Sequence, residues 1–277
     1  MAINREKVLE TAQKLVEKKK YDKAVIELRT LVAADPHDVR ALQKIGELQL
    51  KQNLHAEAID TFESVGRLYA EGGFTHKAVA VYKQIREIIA VHLPQAEVRY
   101  GHIPPKLAEL YCEIGLTSDA LALLNEIAKN LHRQQRDAET IEVYRRIAEL
   151  DPTNPIPHLH VAEGLARLKD VEGAVAGFKA AATLLVQADR RDDAIQVLER
   201  LLHHKADLEQ ARICAELYLS RNRPPHDVTQ ALTKLQMCFQ ANPRDIVALT
   251  LIARAFELLG QSAKAIEVQK EIARISR

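Results

Sequence analysis

The chain has 277 residues, 47% apolar and 28% charged, with ten Gly, ten Pro and only 4% aromatic side chains. Such a composition, dominated by Ala, Leu, Ile and Glu, favours helix over strand. Thirty-nine basic side chains are interspersed with thirty-eight acidic ones, which argues against a nucleic-acid binder built on one basic face. Three cysteines, Cys112, Cys214 and Cys238, are odd in number and lack metal-ligand spacing. They read as reduced thiols of a cytoplasmic protein. The N-terminal stretch carries no apolar run of signal-peptide length, and no segment approaches about 18 apolar residues, so no membrane span is expected.

In chain order, Asn4 to Lys19 reads as a first helix with Val8, Leu9, Ala12, Leu15 and Val16 along one stripe. Its Lys18–Lys20 run suits a helix C-terminus. Tyr21 to Ala34 is the partner helix, ended by Asp35-Pro36 because the residue before proline resists the helical region. Val39 to Ala70 reads as two amphipathic helices around a turn at Asn53-Leu54. Small residues, Gly46 and Ala58, stand where the backbones approach, and Phe62 fills the space beside them. Gly72-Gly73 leads to a third helix, His76 to Val91. Leu93 to Pro105 is the longest irregular connection and the best hinge candidate. Asp151–Pro155 is a stop followed by a capped start. Arg221 to Asp227 reads as an extended turn, and Asn242–Asp245 resets the chain for a last helix pair.

The pattern recurs. Ala24, Ala58, Ala120, Ala174, Ala231 and Ala265 occupy equivalent positions, and the steps from Ala24 to Ala58 and from Ala231 to Ala265 are both 34 residues. A fixed period in this range marks a helical repeat array. Three of these alanines are followed 20 residues later by a second match, Ala78, Thr140 and Ala194. The helix before each such junction carries both stripes: Phe62, Val65, Gly66 and Tyr69 form a first-helix pattern on what is already a second helix. The expectation is about 15 helices: three-helix units at 39–92, 102–151 and 155–205, flanked by two-helix repeats at 3–35, 207–241 and 245–275, with a possible hinge at 93–105.

On Val8, Ala12, Leu15, Ala24, Leu28, Leu31 and Pro36, on Leu42, Ile45, Gly46, Ala58, Phe62 and Val65, and on Leu249, Ile252, Ala253, Phe256, Ala265 and Ile272, the sequence resembles the tetratricopeptide repeat family. The family's usual Trp is missing, since the chain contains none. The resemblance implies an all-α fold, a right-handed α-α superhelix forming one solenoid over residues 1–277. It also implies a groove lined by particular first-helix positions. On this sequence those are Glu6, Leu9, Gln13 and Val16, then Arg40, Gln43, Glu47 and Leu50, then Arg212, Glu216 and Leu219, and finally Val247, Thr250, Arg254 and Glu257. Leu9, Val16, Leu50 and Leu219 are apolar side chains there and candidate anchors for a bound peptide or helix, unless a packed neighbour covers them. The Lys and Asn pairs with which some relatives clamp a terminal carboxylate are replaced by Leu9 and Gln13, then Gln43 and Glu47, so that ligand is not expected.

No catalytic constellation is visible: there is no phosphate-binding loop, nucleophile elbow or HExxH motif. His158 and His160, and His203 and His204, do not share a helix face at ligand spacing, so no metal and no cofactor are expected. Cys112, among Leu107, Tyr111 and Ile114, reads as a packed or groove-lining thiol without a paired base. Arg133 and Arg136, with Arg190 and Arg191, fall at equivalent turns and form a candidate basic edge. The plainer reading is solvated turns neutralised by Asp137, Asp192 and Asp193.

These features point to a non-enzymatic cytoplasmic scaffold or adaptor that binds a protein or peptide partner in its groove. Repeat style loosely resembles bacterial proteins found beside signalling kinases and motility regulators. Alternatives are a nucleic-acid or anionic-surface binder using the arginine edge, and a structural subunit whose C-terminal helix, Ala263 to Ser276, pairs as a homodimer.

Overall fold

The computed structural model describes residues 4–96, 98–221 and 223–276. The expected repeat start at residue 3, Glu97 in the 93–105 connection and Asn222 in the 221–227 turn lie outside them. The described residues form fifteen α-helices and no strand: α1 (Arg5–Glu17), α2 (Tyr21–Ala34), α3 (Val39–Lys51), α4 (His55–Glu71), α5 (Thr75–His92), α6 (Ile103–Glu113), α7 (Thr117–Arg133), α8 (Asp137–Leu150), α9 (Pro155–Arg167), α10 (Val171–Gln187), α11 (Arg191–His204), α12 (Leu208–Arg221), α13 (His226–Ala241), α14 (Ile246–Leu258) and α15 (Ser262–Ile275). None is long and apolar enough to cross a membrane. The chain divides into two compact units, Met1–Ile127 and Ala128–Arg277.

Within unit 1, consecutive helices from α1 to α6 pack against one another; within unit 2, consecutive helices from α8 to α15 do the same, and α12 also touches α14. Helix starts follow capping chemistry. Asn4, Asp38, Asn154, Asp170 and Asp245 each accept a hydrogen bond from a first-turn amide, and Asp207 accepts from Gln210 N at 3.0 Å. Each satisfies a donor that the helix itself leaves open. Pro155 occupies the first position of α9, directly after the Asn154 cap. Likewise Pro104 and Pro105 begin α6 rather than end the preceding loop, since proline lacks only an amide that the first turn does not use.

The repeat is written in the backbone. Eight residues take left-handed φ between 53° and 76°: Lys19, Asn53, Gly73, Gly115, Gln135, Lys169, Asp189 and Gly260. Each stands five residues before Ala24, Ala58, Ala78, Ala120, Thr140, Ala174, Ala194 or Ala265 respectively, all buried. The following amide reaches back to the carbonyl five residues earlier, as in Lys20 to Leu15, Leu54 to Gln49, Leu116 to Tyr111 and Arg190 to Leu185, at 2.9 Å in all four. That bond closes the last turn of one helix and reverses the chain into the next. The turn repeats at the 34- and 20-residue steps read from the alanines.

Close packing follows the same register. A β-carbon built on Gly46 of α3 would lie 2.8 Å from the Phe62 ring of α4, and one built on Gly66 of α4 would lie 2.7 Å from the Tyr82 ring of α5. Thus α4 receives α3 on one face and α5 on another, each through the same small-against-aromatic contact. Phe62, Val65 and Gly66 are correspondingly buried.

Candidate functional site

Leu9, Gln13 and Val16 of α1 and Arg40 of α3 line one cavity of about 580 Å³ in unit 1. The spacing places them on one face of α1, and α2 holds α3 alongside. The floor is Ala12 and Leu28, 4% and 1% exposed, while Leu9 remains 39% exposed above them. Arg5, Glu6 and Lys44 complete the rim. Arg5 is held by Asp38 at 2.8 Å and Lys44 by Glu47 at 3.4 Å. Arg40 makes no ion pair among the described residues and is exposed. The result is an apolar trough with an exposed guanidinium, free of an ion pair, at its edge, an arrangement able to seat a side chain from another chain and orient it by charge. Arg5, Lys44 and the two floor residues were not singled out from sequence. Their signal was available: Ala12 and Leu28 belong to the apolar stripes, and the floor of a groove is where those stripes meet.

The other expected groove residues do not join that cavity. Gln43 is exposed, while Glu47 and Leu50 are half-buried on α3. Arg212 is half-buried and faces the Asp245 carboxylate at 3.6 Å; Glu216 is exposed. Arg254 is exposed, and Glu257 accepts a hydrogen bond from Gln269 at 2.9 Å. Leu219 is corrected outright. At 1% exposure it is a core residue, because α12 packs against α14 as well as against α11 and α13, and no face of it is left for an apolar anchor at that position. In α15 only Ala265 is buried; Ile272 and Ile275 are half-exposed and Ile266 is exposed.

The arginine edge is largely neutralised, though not by all the partners the sequence offered. Arg136 grips Glu139 through two hydrogen bonds of 2.6 and 2.7 Å. Arg190 pairs with Asp193 at 2.6 Å and Arg191 with Asp189 at 2.8 Å. Asp137 instead binds Arg167 at 2.8 Å, whose hydrogen bond holds that carboxyl below its usual range, and Asp192 binds Arg221 at 2.9 Å. Arg133 is exposed.

Among the described residues no cluster of three or more His, Cys, Asp or Glu is placed to hold a metal. His160 instead stacks on Tyr144 with ring centroids 4.3 Å apart, and His204 lies parallel to Phe178 at 5.7 Å. Cys214 and Cys238 are buried and Cys112 half-buried, all three unpaired. Burial pushes the Cys214 thiol up to about 12, with the Glu199 carboxylate adding to it.

Comparison with known proteins is narrow. The tetratricopeptide repeat family model matches residues 9–73. No curated protein matches. Among solved structures, a fragment of MamA from Desulfovibrio magneticus RS-1 is similar at 16% identity over 57% of this chain and 95% of its own, with a TM-score of 0.32. The tetratricopeptide domain of P58(IPK) is similar at 14% identity over 98% and 97%, with a TM-score of 0.27. Yeast Tom70 is similar at 15% identity over 94% of this chain and 56% of its own, with a TM-score of 0.32. The match to tetratricopeptide repeats thus covers residues 9–73, and beyond it the chain continues as helices joined by the same left-handed turn.

Proposed function

We propose that this chain is a non-catalytic adaptor that holds a segment of a partner protein in the cavity between α1 and α3. The observation that carries this reading is the convergence of Leu9, Gln13, Val16 and Arg40 on one trough within the stretch that matches the family. Repeats of this type act as scaffolds for protein partners, which supports an interaction role. An apolar side chain over Ala12 and Leu28 contributes the burial energy, roughly 1.5–3 kcal/mol for a side chain the size of Leu or Phe. An acceptor opposite Arg40 sets orientation. Three unpaired thiols fit work in the reducing cytoplasm. A place in bacterial signalling or motility control rests on repeat style alone.

The test is a photo-crosslinking amino acid at Gln13, which is exposed on the trough wall, beside one at Lys23, exposed on α2 and outside the trough. Irradiation in the native host extract is expected to yield a discrete protein adduct from position 13 and none from position 23. The same adducts from both positions contradict the reading.

A further inference from the structure

Two adjoining cavities in unit 2, of about 500 and 560 Å³, share Glu199 and Arg200 as common wall. The first lies between α9 and α11 over Phe178 of α10; the second lies between α11 and α13 over Tyr218 of α12. Together they make one trough across alternate helices of unit 2. None of the residues singled out from sequence as groove-lining falls in it.

The charges along this trough are spent unevenly. Every carboxylate that lines it already has a donor. Glu163 takes Arg200 at 2.6 Å, and Asp192 takes Arg221 at 2.9 Å. Glu199 takes Lys234 at 2.6 Å and the Tyr218 hydroxyl at 3.1 Å. Among the donors, Arg223, His203 and His204 have no hydrogen-bond or ion-pair acceptor among the described residues, and all three are exposed. A wall whose carboxylates are each paired with a donor, while Arg223, His203 and His204 stay open, is complementary to a ligand rich in acceptors, above all ionised ones. The first cavity adds apolar surface, with half-buried Ala166 and the aliphatic stems of Arg167 and Arg200 in its lining. A nucleic-acid strand fits this trough poorly. Glu163 and Glu199 stand in its wall, and its aromatic rings, Phe178 and Tyr218 at 2% and 8% exposed, offer no stacking platform.

We infer that this trough is a second docking groove, which takes an acidic peptide segment of a partner protein, its carboxylates meeting Arg223 and the His203–His204 pair and one apolar side chain seated over Ala166. The inference rests on the reading of the chain as an interaction scaffold but not on the α1–α3 cavity.

A random dodecapeptide library displayed on phage and selected on the full chain tests it. The selected sequences are expected to carry two or more Asp or Glu beside an apolar residue. A fluorescent synthetic peptide of the selected sequence is expected to lose at least about tenfold in affinity on the Arg223→Glu, His203→Glu variant. Both positions are exposed, and retained helical circular dichroism confirms the fold. The Leu9→Glu, Arg40→Glu variant reports on the α1–α3 cavity in the same assay. Selected sequences without acidic enrichment, equal affinity for the unit 2 variant, loss on the α1–α3 variant instead, or displacement of the peptide by a (dT)20 strand would each overturn the inference. The α1–α3 proposal could still stand in every one of those cases.

Discussion

The Tyr82 ring of α5 occupies the space beside Gly66 of α4, 2.7 Å from where a β-carbon on that glycine would sit. Tyr82 is buried, 4% exposed. Replacing Gly66 by Val is therefore expected to lower unfolding free energy by about 2 kcal/mol through overpacking, in spite of valine's better helix propensity. A urea titration followed by circular dichroism checks this. An unchanged midpoint would show that the α4–α5 contact is looser than the geometry states.

The left-handed turn residues make opposite predictions for glycine and for the rest. Lys169 and Asp189 bear side chains at φ 63° and 53°, a conformation costing an L-residue about 1–2 kcal/mol. Lys169→Gly or Asp189→Gly is expected to stabilise by about 0.5–1 kcal/mol, the relief less the added chain entropy. Gly115→Val, at φ 76° with no neighbour within 4 Å, is expected to destabilise by at least about 1 kcal/mol for backbone reasons alone. Thermal midpoints of the three variants read both signs.

How much of this was legible beforehand follows from what each residue depends on. The helices, their number and the 34- and 20-residue steps were readable because Ala24, Ala58, Ala78 and their equivalents must stay small wherever two helix backbones meet. The turn at Asn53 was readable because Asn tolerates left-handed backbone. Asp189 carried the same sign more weakly, whereas Lys19, Gln135 and Lys169 gave none, since their conformation is imposed by the helices on either side. Leu219 was misread because a groove position carried over from the resembled family does not say which neighbour covers it here. Ion-pair partners were half legible: Asp193 was named for the Arg190–Arg191 turn, whereas Asp137 and Asp192 reach across to other helices, a choice that spacing along one strand of sequence does not contain.

The thiols should separate kinetically. Thiolate is the reactive form, and a Cys214 thiol pushed up to about 12 leaves only about one part in ten thousand ionised at pH 8. Burial raises Cys238 as well. Titration with Ellman's reagent at pH 8 is expected to give one thiol in the native chain, Cys112, and three after denaturation. Two or more fast native thiols would contradict the packing around α12 and α13.

His160 sets a pH dependence of known sign. Burial lowers its pKa below the ordinary 6.5, against an opposing pull from Glu163, so the fold favours the neutral ring stacked on Tyr144. The stability this confers is complete above pH 6.5 and is lost as the pH falls toward the lowered folded value. The fall in urea midpoint between pH 7.5 and 5.0 is expected to be smaller in His160→Gln than in the unmodified chain. An identical fall in both would assign the acid sensitivity to other groups.

The central claim is that the α1–α3 trough holds a partner. Its most direct test is calorimetric titration of the protein identified by crosslinking from position 13 into the full chain and into the Leu9→Glu, Arg40→Glu variant, both shown to be equally helical. The account predicts at least about a hundredfold weaker binding to the variant, from an apolar seat turned acidic and an orienting cation reversed. Equal affinity for the two chains would contradict it.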